Sequence, residues 1–172
     1  MVKKMLALMT VICLSFGAVV QTYAKSYSIA YLKIKNVTYT GSAIRNMPKV
    51  YNEKGKRVPS RYFSVIYDGD TTNAGVVEVS VHGTGKYDGY ATGSYVIRKR
   101  SIKQCKVRGL KSYDANQGFT NQDLAITYRG QDVSYRLYYD YSAKPGTHTL
   151  KIKGLGNFTG TLIKKYRIYA TD

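Results

Sequence analysis

Apolar and polar side chains alternate residue by residue through much of this chain. In residues 75–83, Val77, Val79 and Val81 fall on one parity and Val76, Glu78, Ser80 and His82 on the other. Residues 146–154 repeat the scheme, with His148, Leu150 and Ile152 set against Thr147, Thr149, Lys151 and Lys153. A period of two sends one set toward a core and the other toward water, as in a half-buried strand. The runs Ala91, Gly93, Tyr95, Ile97 and Leu162, Lys164, Tyr166, Ile168 keep the same beat. Further strands are expected over residues 28–37, 49–52, 62–67, 101–107, 124–128 and 134–139, where β-branched residues and tyrosine collect. No stretch carries an amphipathic period of 3.6, so the chain is expected to be all-β. Short strands with turn residues between them favour a small sandwich or a partly closed barrel.

The pattern occurs twice. Residues 75–97 return without a gap as residues 146–168: Gly75, Gly83, Gly85 and Gly89 fall on Gly146, Gly154, Gly156 and Gly160, and Tyr87, Tyr95 and Ile97 on Phe158, Tyr166 and Ile168. With a slip of one residue, Phe63, Val65, Tyr67 and Asp68 fall on Tyr135, Leu137, Tyr139 and Asp140. An echo at fixed period indicates two copies of one unit. We expect tandem β-domains over residues 25–100 and 101–172, joined near residues 99–101 with no room for a linker and therefore in contact. In each copy, strand, glycine segment and strand read as a hairpin. Gly83, Gly85 and Gly89, with Gly154, Gly156 and Gly160, are assigned to turns and bulges. Their spacing is one residue too long for a dinucleotide fingerprint, and a strand follows instead of a helix. No cofactor is expected.

Residues 1–24 have the layout of a secretory signal: Lys3 and Lys4, an apolar stretch over residues 5–20, then Thr22-Tyr23-Ala24 as a cleavage site. Cleavage after Ala24 would leave a secreted chain with no integral membrane segment. That chain has one cysteine, Cys105, so no internal disulfide can form. Alternation over residues 102–107 makes Cys105 a core thiol rather than a nucleophile.

Without Lys3 and Lys4, 25 basic residues stand against 10 acidic ones, a net charge of +15 divided as +8 over residues 25–100 and +7 over 101–172. An even division predicts a basic surface on both units and anionic polymers as partners outside the cell. The densest cationic stretch, Arg98, Lys99, Arg100, Lys103, Lys106 and Arg108, straddles the junction and is the candidate polyanion-binding strip. Catalytic chemistry has little to work with, since His82 and His148 are not equivalent in the repeat and no nucleophile has an adjacent base. The chain is expected not to be an enzyme. Asp68-Gly69-Asp70 offers too few oxygens for calcium and reads as a turn, so no metal is expected. Most tyrosines fall on strand parity, which speaks for packing and against base stacking on nucleic acid. A sugar-stacking face would draw on Tyr138, Tyr139 and Tyr141, for which cross-strand packing is the competing role.

Tyr39-Thr40-Gly41, Val65-x-Tyr67-Asp68, Asn73-Ala74-Gly75 and Gly83-x-Gly85-x-Tyr87-x-Gly89 running into Tyr95-x-Ile97 resemble the tyrosine- and glycine-rich immunoglobulin-like repeats of Gram-positive bacterial surface proteins. The segment from Gly154-Leu155-Gly156-Asn157-Phe158-Thr159-Gly160-Thr161 to Lys165-Tyr166-Arg167-Ile168 is similar to the end of that repeat. The resemblance implies two immunoglobulin-like sandwiches and a non-catalytic adhesive or spacer role at the cell surface. It supplies no catalytic residues, and no Leu-Pro-x-Thr-Gly anchoring signal accompanies it. The expected function is a secreted envelope-binding or adhesion protein held by an anionic wall polymer or polysaccharide. Alternatives are a carbohydrate-binding module using exposed tyrosines, or a secreted inhibitor or accessory subunit with an extracellular protein partner.

Overall fold

A computed structural model describes residues 26–118 and 123–171 of the protein. The expected signal peptide, residues 1–24, lies outside the described residues. Among those described, no helix is long and apolar enough to cross a membrane.

The fold is all-β. The first half contains β1 (Tyr27–Lys33), β2 (Val37–Thr38), β3 (Lys49–Asn52), β4 (Phe63–Asp68), β5 (Gly75–Gly83), β6 (Tyr87–Asp88) and β7 (Tyr90–Arg98). The second contains β8 (Arg100–Ser101), β9 (Lys106–Arg108), β10 (Tyr113–Asp114), β11 (Ala125–Tyr128), β12 (Gln131–Asp132), β13 (Tyr135–Tyr139), β14 (Gly146–Gly154), β15 (Phe158–Thr159) and β16 (Thr161–Tyr169). Two single 3-10 turns, Ser60–Tyr62 and Ile102–Gln104, are the helical elements described.

A four-stranded sheet in the order β2-β7-β5-β4 and a three-stranded sheet β3-β1-β6 make up the first half. The second half repeats the scheme, with β10-β16-β14-β13 in one layer and β12-β11-β9 and β15-β8 in the other. Strands that coincide in the sequence repeat also coincide in pairing: β5 with β7 and β14 with β16 are antiparallel, and β6 with β1 and β15 with β8 are parallel. The expected strand over residues 101–107 is broken. The Ile102–Gln104 turn divides it into β8 and β9, because Ser101 caps the turn by accepting from the Lys103 N–H and buried Ile102 anchors it. Cys105 accordingly lies half-buried beside the core rather than fully inside it, and burial pushes its thiol up.

The alternating residues occupy the faces expected of them. Val77, Val79 and Val81, with Leu150 and Ile152, are buried, as are Tyr95, Ile97, Tyr166 and Ile168. From the opposing layers Ile29, Val50 and Val58, and Ile126 and Val133, close the core. Lys164 breaks the rule: it shares the parity of Tyr166 yet remains exposed.

The glycine segment is more than a hairpin turn. It leaves the four-stranded sheet, pairs with the first strand of the opposite layer and returns, so it stitches the two layers together. A Cβ on Gly83 would lie 2.7 Å from the Asp88 carbonyl oxygen, which is why the first glycine of the motif cannot carry a side chain. Gly85 and Gly89 adopt φ of 66° and 77°, and Gly156 and Gly160 φ of 57° and 82°, a region that L side chains avoid.

Tyr166 places its phenol in the core beside Tyr113, and burial there pushes its ionisation up to about 12. An unfolded tyrosine ionises near 10. The stabilisation is therefore complete below pH 10 and is lost as pH rises from about 10 to 12, because the unfolded chain releases this proton first. Denaturant midpoints should fall steeply over that range by an amount worth about 2 kcal/mol, and Tyr166→Phe should flatten the fall. An unchanged slope in the variant would assign alkaline unfolding to other groups.

Candidate functional site: a basic sheet face

In each four-stranded sheet the outward parity faces solvent. In the second half it presents Arg136 and Tyr138 from β13, Thr147, Thr149, Lys151 and Lys153 from β14, and Thr161, Ile163, Lys165 and Arg167 from β16. The register arranges them in rows across the sheet. Arg136 is opposite Lys153 and then Thr161; Tyr138 is opposite Lys151 and then Ile163; Thr149 is opposite Lys165, and Thr147 is opposite Arg167. Neighbouring strands lie about 4.8 Å apart and alternate residues about 6.7 Å apart, so five cations share one compact face.

All five are exposed, and no carboxylate forms an ion pair with any of them among the described residues. Arg136 directly opposite Lys153 is a like-charge cross-strand pair, an arrangement that costs stability. The equivalent positions of the first half show that the fold has no need of it. There Arg136, Lys151, Lys153, Lys165 and Arg167 are replaced by Ser64, Ser80, His82, Ser94 and Val96, and Glu78 stands where the second half has Thr149. The even division of net charge between the halves therefore goes with an uneven placement of the cations on the two sheet faces. Cations of the first half gather elsewhere. Lys54, Arg61 and Lys86 lie 4.8 to 5.9 Å from the ring centroids of Tyr27, Tyr62 and Tyr87 at one end of that half. A hydrogen bond from Arg61, with the charges of Arg61 and Lys86, holds the Tyr62 phenol below its usual range.

The strip singled out in the sequence is divided by the fold. Arg98, Lys99, Lys103, Lys106 and Arg108 are exposed, with Arg98 at the end of β7, Lys103 in the 3-10 turn, and Lys106 and Arg108 on one side of β9. Arg100 turns inward to the joint between the halves. Its Nε–H donates to the Tyr39 carbonyl, its Nη1 donates to Gln104 Oε1 at 2.6 Å, and its guanidinium lies 5.1 Å from the Tyr128 ring centroid. Around it Phe158 packs edge-on to Tyr39 at 5.4 Å and to Tyr128 at 5.7 Å. Asn157 completes the joint: its Oδ1 accepts from the Ala74 N–H and its Nδ2 donates to Asn73 Oδ1, both at 2.7 Å.

The other candidate groups are dispersed. His82 stacks on Tyr90 on the outer face of the first half. His148 lies under the second sheet, with Nε2 2.8 Å from the Lys144 carbonyl oxygen, Nδ1 3.8 Å from Asp140 and its ring stacked on Tyr166. Asp70 spends its carboxylate on the turn. Its Oδ1 accepts from the N–H groups of Thr72 and Asn73, and its Oδ2 from Asn73 Nδ2, bonds that hold the carboxyl below its usual range. Among the described residues, no three His, Cys, Asp or Glu side chains are grouped as a metal site would need.

Compared with known proteins, the chain matches no protein-family model and no curated protein sequence.

Proposed function

We propose that this chain is a secreted, non-catalytic envelope-binding protein of a Gram-positive bacterium, built of two immunoglobulin-like sandwiches, that associates with anionic wall polymers through the basic face of its second half. One observation carries the reading. Five exposed cations stand on three adjacent strands with no carboxylate paired to them among the described residues, at positions where the other copy has Ser, His and Val. Such a face gains energy when a polyanion replaces the mutual repulsion of its cations. Lys106 and Arg108, exposed on β9, extend the positive surface of the same half.

The test is co-sedimentation of the secreted chain, residues 25–172, with Gram-positive cell walls that carry or lack teichoic acids, at low and high salt. Binding that requires teichoic acid and disappears as salt screens it supports the proposal. Salt-resistant binding overturns it in favour of neutral-glycan recognition through tyrosines, and no binding in any condition overturns it in favour of a protein partner.

A further inference from the structure

Building on that reading, we infer that the polymer is recognised as a saccharide as well as an anion: an acidic sugar unit stacks on Tyr138 at the mouth of a cleft beside the basic face, with its anionic group on Lys151. The cleft follows from strand lengths. β13 ends at Tyr139, paired with Leu150, whereas β14 begins four residues before Leu150 at Gly146. The start of β14 therefore has no β13 neighbour, and the chain turns away at Asp140, whose Oδ1 accepts from the Ser142 N–H at 3.0 Å. The space left is about 510 Å³, bordered by Tyr138, Asp140, Thr147, Thr149 and Lys151, with His148 among its lining residues. His148 is fixed there by the Lys144 carbonyl and by the Tyr166 ring.

The side chains around this cleft are not those a bare polyphosphate would call for. Tyr138 is 44% exposed and sits directly opposite Lys151, and Ile163, on the far side of Lys151, is 58% exposed. Among the described residues no other ring and no cation stacks on Tyr138. An aromatic face beside a cation suits the C–H face of a sugar ring bearing a carboxylate or phosphate. Two threonine hydroxyls and the exposed Asp140 carboxylate supply donors and acceptors for sugar hydroxyls. Asp140 would repel a plain anion, so the site is polar end to end: hydroxyls toward Asp140, negative charge toward Lys151 and the cationic rows beyond.

Calorimetric titration of the secreted chain at fixed ionic strength, with an oligouronate and with inorganic polyphosphate of matched charge, tests this. The expected result is at least tenfold tighter binding of the oligouronate. Tyr138→Ala should remove about tenfold of that affinity while leaving polyphosphate binding within twofold, and Tyr138→Phe should keep the preference. Equal or tighter binding of polyphosphate, or equal losses for both polymers in Tyr138→Ala, would overturn the saccharide inference and leave the basic face standing. Failure of the native chain to bind either polymer would overturn the inference and the functional proposal together.

Discussion

Replacing the five cations of the second sheet by the residues their counterparts carry in the first half, R136S/K151S/K153H/K165S/R167V, should reduce polyanion affinity by two orders of magnitude or more at low salt. The substitutions are compatible with the fold, since Ser64, Ser80, His82, Ser94 and Val96 already occupy those positions in an equivalent sheet. Each cation that displaces a counterion adds about 0.7 to 0.9 to the slope of log affinity against log salt, a rule established for nucleic acids and used here for a flexible polyanion. With four or five contacts, the native chain should weaken by about 100-fold between 50 and 200 mM salt. The fivefold variant should be nearly insensitive to salt. Its stability should rise by a few tenths of a kcal/mol, because Arg136 no longer faces Lys153. Alanine at Lys103, Lys106 and Arg108 provides the comparison. If that variant loses the binding and the fivefold variant keeps it, the interface is the junction strip and not the sheet face.

The fold was legible from alternation alone because each strand has one wet and one dry side, and the repeat made every reading twofold. Where alternation is strict, as at Val77, Val79 and Val81, burial follows it residue by residue. It failed at residues 101–107, where an alternating run also fits a chain that bonds to β15 and to β11 in turn, with a 3-10 turn between. Gly85, Gly89, Gly156 and Gly160 adopt positive φ, but the passage of the glycine segments to the opposite layer depends on pairing with a strand far away in sequence. The basic face was present in the sequence and obscured by its density elsewhere. Arg98, Lys99 and Arg100 are consecutive and conspicuous, yet consecutive residues of an extended chain point in different directions, and Arg100 is drawn into the joint by Tyr39 and Tyr128. The cations of the face are scattered over residues 136–167 and meet only through register. Setting the two copies side by side at outward positions, with Ser80 against Lys151 and Ser94 against Lys165, is the comparison that reveals them.

The largest effect on stability is expected at the joint, from Phe158→Ala. Phe158 is 4% exposed and belongs by sequence to the second half, yet one of its two ring partners, Tyr39, belongs to the first. Truncation would remove two edge-on aromatic contacts and leave a void between groups held in place by Arg100 and Asn157. Loss of a buried phenylalanine costs about 3–5 kcal/mol, and at about 2–4 °C per kcal/mol for a chain of this size the melting temperature should drop by about 10 °C. Tyr87, its counterpart in the repeat, packs against Tyr27 and Tyr62 within its own half and is only half-buried, so Tyr87→Ala should cost markedly less. Calorimetry should also show the native transition broadening or dividing in Phe158→Ala and staying single in Tyr87→Ala, because only the first change weakens the coupling between the halves. Equal melting shifts for the two variants would mean that the joint contributes no more than an ordinary edge of the core, and that the halves are held together mainly by the Asn157 bonds to Asn73 and Ala74.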